Sequence, residues 1–296
     1  MMQQKILITG ASGFIGSHLT KTLVNSDYVV HAFQGEITHK IELSLRPDIV
    51  VHLAAISTNS PDPESTEHLY KVNVQGTKNI LEFCASTKSK LIFISTIGVY
   101  GSPKYLPLDE QHPTNPTSAY AKSKLEGERL CRSHAEKNEV DCLILRLANV
   151  YGEGDQNSER LVPSILTGLI NHERIVLTSP LPKRDFIFVE DVVKAIIASL
   201  NYFKNKTNSG NNGEIVNIGS GKSVSIGELI ENFEKQAGYT FNIEYKGLRK
   251  EEIMDIYTNV SKAWNILQWA PKTDVITGIK QVISSLKSES AETSKN

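Results

Sequence analysis

Short apolar, β-branched runs alternate with longer stretches of helical periodicity through the first half of the chain. The runs lie at Lys5–Thr9, Tyr28–Phe33, Ile49–Leu53, Leu91–Ser95 and Cys142–Leu147. Between most of them the spacing predicts helices over Phe14–Val24, Glu64–Cys84 and Ser118–Lys137. Runs of this kind, bounded by turns and alternating with helices, predict an α/β fold built on a doubly wound parallel sheet. The second half changes character. A strand near Asp185–Val189 leads into a helix over Glu190–Leu200, and a polar, Asn- and Gly-rich loop follows at Lys204–Gly213. A strand at Glu214–Asn217, a helix at Ser225–Gln236, a strand at Phe241–Tyr245 and two closing helices complete the pattern. Ser225 and Glu228 have the spacing of a capping box. The small, polar tail after Lys287 predicts disorder.

Composition narrows the class. The 296 residues are 40% hydrophobic and carry 32 Lys and Arg against 33 Asp and Glu. Such a chain can bury a full core without disulfides or metal. The near-neutral balance gives no reason to expect nucleic acid or an anionic membrane as partner. No apolar run approaches the ~20 residues of a membrane span. The first strand begins almost at once, leaving a signal peptide no room. Cys84, Cys131 and Cys142 are scattered and form neither a metal-spaced cluster nor a disulfide framework, so no metal is expected and the setting is cytoplasmic.

Chemistry enters at the first turn. KILITGASGFIG sets Gly10, Gly13 and Gly16 between a strand and a helix. Glycine there permits positive φ and close approach of backbone to a pyrophosphate, while the helix N-terminus offers unpaired N–H groups. This predicts dinucleotide binding. An acid that reads the ribose hydroxyls is expected at the end of the second strand. Phe33 and Gln34 stand there instead, with Glu36 slightly beyond. The segment from Gln34 to Arg46 has room for a brief strand around Glu36–Thr38 and one small helix. The missing acid removes repulsion of a 2′-phosphate, which leans towards NADP over NAD, although no arginine completes that case.

SAYAKSK places Tyr120 and Lys124 at i and i+4, on one face of a helix. A nearby ammonium favours phenolate and brings the tyrosine towards a useful range for proton transfer. The strand end FISTIGVYG supplies Ser95 and Thr96, whose hydroxyls can hold a substrate oxygen beside the phenol.

Together these strings resemble the extended short-chain dehydrogenase/reductases of the NAD-dependent epimerase/dehydratase family, in its nucleotide-sugar group. TGASGFIG, VVHLAA at Val50–Ala55, NVQGT at Asn73–Thr77, ISTIGVYG, YAKSK, RLANVYG at Arg146–Gly152, RDFIFVEDV and VNIGSGKSVSIGELI keep the family's order from residue 5 to about 275. The resemblance implies a Rossmann-type dinucleotide-binding domain over 1–155 with return segments near 185–218. A smaller α/β substrate-binding region covers 156–287, and a disordered tail covers 288–296. It implies cofactor contacts from Gly10, Gly13, Phe14, Ile15 and Gly16 on the turn and from Phe33, Gln34, Glu36 and Ile37 after the second strand. Leu53, Ala54 and Ala55, then Asn73, Tyr120, Lys124 and Leu147, complete the cofactor set. Tyr120 would be the acid/base, Lys124 its partner and ribose ligand, and Thr96 the group that holds the reacting oxygen. Ser95, Asn149, Arg184 and Arg249 would meet the substrate. At Arg249 the family usually has Arg-Pro-Gly-Asp, whereas this chain has Arg-Lys-Glu-Glu, so a solvated charge run remains an alternative there. Arg184 with Asp185 reads equally as a structural pair. Two long helices would pair in a symmetric homodimer.

The residues after Thr96 separate the reaction types. Dehydratases of this family resemble Thr-Asp-Glu at that point, and the decarboxylases also carry a glutamate. Ile97 and Gly98 can neither donate nor accept a proton, so elimination lacks its catalysts. Hydride chemistry at one carbon, carbon 4 of a nucleotide sugar, is what remains. The favoured reading is a 4-keto-6-deoxy nucleotide-sugar reductase. A nucleotide-sugar 4-epimerase and a non-catalytic dinucleotide sensor stay open.

Overall fold

The computed structural model describes residues 3–24, 26–58, 62–137, 139–171, 173–205 and 213–293. Its first half winds through β1 (Lys5–Thr9), α1 (Phe14–Val24), β2 (Val29–Ala32), β3 (Ile49–His52), α2 (Pro63–Tyr70), α3 (Gly76–Thr87), β4 (Lys90–Thr96), α4 (Ala119–Glu136) and β5 (Cys142–Leu147). A returning strand, Glu214–Ile218, completes a six-stranded sheet in the order Glu214–Ile218, β5, β4, β3, β1, β2. Every neighbouring pair is parallel. This is the doubly wound Rossmann-type architecture that the hydrophobic pattern predicts.

The strands are apolar on both faces because both are covered. Ile6 and Ile8 pack on one side with Leu19 and Leu23 of α1 and Val192, Ile196 and Leu200 of the helix Val189–Asn205. Leu7, Val50, Leu91 and Phe93 face the other way, onto Ile80 and Leu81 of α3 and Ala135 of α4. The three cysteines are free and buried in this second layer. Among the described residues, no helix is long and apolar enough to cross a membrane.

Four local expectations need correction. The helix foreseen over Glu64–Cys84 runs from Pro63 to Thr87 and is interrupted by a π turn, Lys71–Gln75. Within that turn Asn73 reaches inward. Its Oδ1 accepts from Ile56 N at 2.8 Å, and its Nδ2 donates to Ile56 O and Ser123 Oγ, each at 2.9 Å. Tertiary hydrogen bonding thus sets a phase that helical periodicity alone does not reveal. The strand around Glu36–Thr38 and the small helix after it do not form. That segment is irregular and leaves β2 at the sheet edge. It is held instead by Asn79, whose Nδ2 donates to Ile37 O at 2.7 Å and to His39 O at 3.0 Å. Ile37 packs so closely on Gly76 that a Cβ there would stand 2.6 Å from its Cδ1. The polar tail continues as helix beyond Lys287, because the closing helix Val275–Thr293 carries it; residues 294–296 lie outside the described residues. The helix before the Asn- and Gly-rich loop extends to Asn205, and most of that loop, 206–212, also lies outside the described residues.

The C-terminal half has its own core. Tyr151, Ile165, Phe188, Phe233 and Ile279 meet beneath short strand pairs and three helices, Leu161–Asn171, Ile226–Ala237 and Val275–Thr293. Ser225 caps the middle helix in a full capping box with Glu228, as its sequence indicates.

A buried carboxylate joins this half to the sheet. Asp185 Oδ1 accepts from Ser220 N at 2.7 Å and Ser220 Oγ at 2.6 Å. Its Oδ2 accepts from Thr258 Oγ1 at 2.6 Å and Thr258 N at 3.1 Å. Removing it strands the two buried Thr258 donors and frees the part-buried ones of Ser220, and a buried donor is costly to leave without a partner. Asp185→Ala should therefore lower unfolding free energy by about 2–4 kcal/mol in urea titration. An unchanged midpoint and slope would show that water replaces those contacts freely.

Candidate active site

The C-terminal edge of the sheet holds the site. The chain turns to opposite sides of β1 at β2 and β3, which opens a crevice above the strand ends. Gly10 closes β1 with φ +69°, and a Cβ there would stand 2.6 Å from Ala54 N. A Cβ on Gly16 would overlap Gly10 O. These two glycines therefore keep the turn flat against the end of β3, with the N-terminus of α1 above it.

Two cavities share this turn. The larger, about 720 Å³, is lined by the glycine turn, Leu53, Ala55, Ser95, Thr96, Tyr120, Lys124, Leu147 and Asn149. Phe14 and Ile15 line it as well. The smaller, about 460 Å³, is lined by Phe33, Gln34, Glu36, Ile37, Ala54, His68 and Lys71. A backbone cradle without Cβ atoms, a helix N-terminus and elongated space on both sides suit a dinucleotide.

Tyr120 and Lys124 enter the larger cavity from the first turns of α4. Ser118 starts that helix, its Oγ accepting from Ala121 N at 3.1 Å. Four residues of spacing then aim both side chains at the end of β4. Thr96 ends β4, and its Oγ1 accepts from Gly98 N at 3.1 Å, leaving its O–H to donate. Lys124 is buried, with Nζ 4.5 Å from the Phe93 ring centroid. Burial pulls the Lys124 ammonium down to about 8. His52 lies beneath, hydrogen-bonded through Nδ1 to Thr9 Oγ1 at 2.7 Å and through Nε2 to Thr77 Oγ1 at 3.1 Å. Burial, reinforced by the charge of Lys124, takes it down to about 3, so it is a neutral structural imidazole at physiological pH.

Burial raises the Tyr120 phenol above its usual range, and the cation that opposes this is Arg160, not Lys124. Sequence spacing assigned that role to Lys124. The structure adds Arg160, which lines the same cavity from the other half of the chain. Its Nη1 donates to the buried Asp155 Oδ2 at 3.2 Å and its Nη2 to Ser57 Oγ at 3.2 Å. A guanidinium has five N–H donors, so three remain for a ligand.

The other expected residues divide between the cavity wall and positions away from it. Ser95 borders the cavity, but its Oγ donates to Glu128 Oε1 at 2.5 Å and is committed to the protein. Asn73 braces Ile56 from behind and does not line either cavity. Asn149 lines the larger cavity while its Nδ2 donates to Asp185 O at 2.9 Å. Arg184 pairs with Glu252, not Asp185: Nη2 lies 2.6 Å from Glu252 Oε1, and Nη1 donates to Ile253 O at 2.6 Å. Arg249 is exposed, and neither arginine lines either of these two cavities. No local motif marks Arg160, His68 or Lys71, because each reaches the site only through tertiary packing.

Fold and cavity together define an α/β dinucleotide-binding protein whose larger cavity is lined by Thr96, Tyr120 and Lys124. A sequence profile of the NAD dependent epimerase/dehydratase family matches residues 6–219, and the chain belongs to that family. A Methanocaldococcus jannaschii protein provisionally named UDP-glucose 4-epimerase is 35% identical, with 95% of this chain and 98% of that one covered. Among solved structures, RMD from Pseudomonas aeruginosa complexed with NADPH shares the fold at TM-score 0.86 and 24% identity, covering 97% of this chain and 100% of that one. UDP-glucuronic acid 4-epimerase from Bacillus cereus, complexed with UDP-glucuronic acid and NAD, aligns at TM-score 0.85 and 26% identity, covering 96% and 99%.

Two outcomes test the proton chemistry. Tyr120→Phe should lower turnover at least ~100-fold while dinucleotide binding survives; near-normal turnover would remove Tyr120 from the reaction. For a reduction, Tyr120 must be protonated, so rate falls as pH rises through its pKa. Arg160 favours phenolate and holds that pKa down. Arg160→Met should therefore move the phenol's own titration, read as the ultraviolet absorbance change that Tyr120→Phe lacks, to higher pH, and a fixed or downward-shifted titration would show that Arg160 does not act on the phenol.

Proposed function

We propose that this enzyme reduces a 4-keto-6-deoxy nucleotide sugar with NADPH. The observation that carries the reading is the pairing of a Thr96–Tyr120–Lys124 centre with Ile97 and Gly98 where elimination would need acids. The absence of a carboxylate on β2 or directly at its end supports NADPH as an exchanging reductant. When bound, the cofactor supplies hydride to carbon 4. Thr96 and Tyr120 hold the carbonyl oxygen, and Tyr120 gives it a proton as the alkoxide develops. Lys124, drawn down by burial, still carries charge through most of the neutral range, and Arg160 is the cation that favours the phenolate left behind. Asn149 and Arg160 face the substrate from the second half of the chain. A symmetric homodimer joined through α3 and α4 belongs to the same proposal.

A second reading is supported by the 35% identical relative: a 4-epimerase that keeps NAD bound, oxidises carbon 4 and returns hydride to the other face. Denaturing the purified protein and chromatographing the supernatant separates the two. Stoichiometric NAD supports the epimerase; an empty supernatant with NADPH uptake by the native protein supports the reductase. Both readings exclude dehydration. Incubation with UDP-glucose, dTDP-glucose or GDP-mannose in deuterated water should leave carbon 5 unlabelled by NMR, and deuterium there with loss of the 6-hydroxyl would move the protein to the dehydratases.

A further inference from the structure

We propose that Lys71, with His68 beside it, forms a subsite for the 2′-phosphate of NADP(H), supplied by the helix that follows β3 and not by the segment after β2. This rests on the dinucleotide-binding reading of the cleft and names the residues that would set its cofactor preference. His68 and Lys71 lie three residues apart at the junction of α2 and the π turn, and so share a face. Both line the 460 Å³ cavity that begins at the glycine turn and ends against Gln34, Gly35 and Glu36. That is where a βαβ fold places the adenosine ribose.

The charges lining this cavity come from three ionisable side chains: Glu36, His68 and Lys71. Glu36 is turned towards its own loop. Its Oε2 lies 3.1 Å from His39 Nδ1 and accepts from Thr38 Oγ1 at 3.4 Å. Among the described residues, neither His68 nor Lys71 makes an ion pair. An ammonium that is not committed to a carboxylate is a suitable point-charge partner for a phosphate dianion. The collapsed Gln34–Arg46 segment strengthens the case. Pinned by Asn79 and plugged by Ile37, it brings no basic residue to the cavity wall, so the opposite wall supplies the positive charge.

The test separates the 2′-phosphate from the rest of the cofactor. Adenosine 2′,5′-bisphosphate and 5′-AMP are titrated by calorimetry against the full chain, and NADPH and NADH by fluorescence. The parent should bind the bisphosphate more tightly than 5′-AMP. Lys71→Met should weaken the bisphosphate about 10-fold or more, the size of one charge-assisted contact, and leave 5′-AMP unchanged. Lys71→Arg should retain most of the affinity. An equal loss on both ligands would make Lys71 a general adenosine contact and overturn the subsite, as would full retention of bisphosphate binding in Lys71→Met. A parent that prefers NADH and 5′-AMP would overturn the NADPH reading together with the subsite. A parent that prefers NADPH while Lys71→Met keeps that preference would overturn the subsite alone.

Discussion

A buried ion pair between Glu128 and Arg146 fixes the helix that carries Tyr120 and Lys124. Glu128 Oε1 accepts from Arg146 Nε at 2.9 Å and Oε2 from Arg146 Nη2 at 2.6 Å, with both side chains almost fully buried. Ser95 adds a hydrogen bond from β4 to the same carboxylate. The guanidinium in turn lies 4.7 Å from the ring centroid of Tyr100, whose hydroxyl donates to Asn217 Oδ1 at 2.7 Å. Separating such a pair costs about 3–5 kcal/mol, because a lone buried charge remains. Tyr120, Lys124 and Glu128 follow at four-residue spacing on one face of α4. Once Glu128 is locked to β4 and β5, the other two point to the strand ends. Gly127 lets the helix lie close enough, since a Cβ there would stand 2.5 Å from Phe93 Cζ.

The remaining geometry follows from where that helix sits. A parallel sheet delivers β1, β3 and β4 to one edge, so the glycine turn, Leu53–Ala55 and Thr96 converge beside Tyr120. The two halves of the chain close over this edge through the returning strand, through Asp185, and through Arg160, which reaches Ser57 from the second half. Buried surroundings raise the phenol and lower the ammonium together. A bound dinucleotide would meet the backbone cradle on one side and the Tyr120 hydroxyl on the other.

Much of this was legible in the chain itself because it is encoded locally. β1, α1 and β5 have the bounds that their sequence patterns predict, and Ser225 starts its helix where the capping box places it. The glycines fall within seven consecutive residues and the Tyr–Lys pair within five, so neighbours in sequence are neighbours in space. What escaped sequence reading depends on contacts across the fold. The π turn answers to Ile56, the irregular Gln34–Arg46 segment answers to Asn79 and Gly76, and Arg184 finds Glu252 far along the chain. Arg160 and Lys71 are ordinary charged residues until the halves of the molecule bring them to a cavity wall.

The most direct measurement follows one hydrogen. The enzyme is supplied with NADPH carrying deuterium at the transferable position of the nicotinamide, together with a set of 4-keto-6-deoxy nucleotide sugars, and the product is read by NMR. Deuterium is expected at carbon 4 of the sugar, in one configuration, with NADP released in equal amount. A product with no label at carbon 4, or no oxidation of NADPH with any of these sugars, would contradict this reduction.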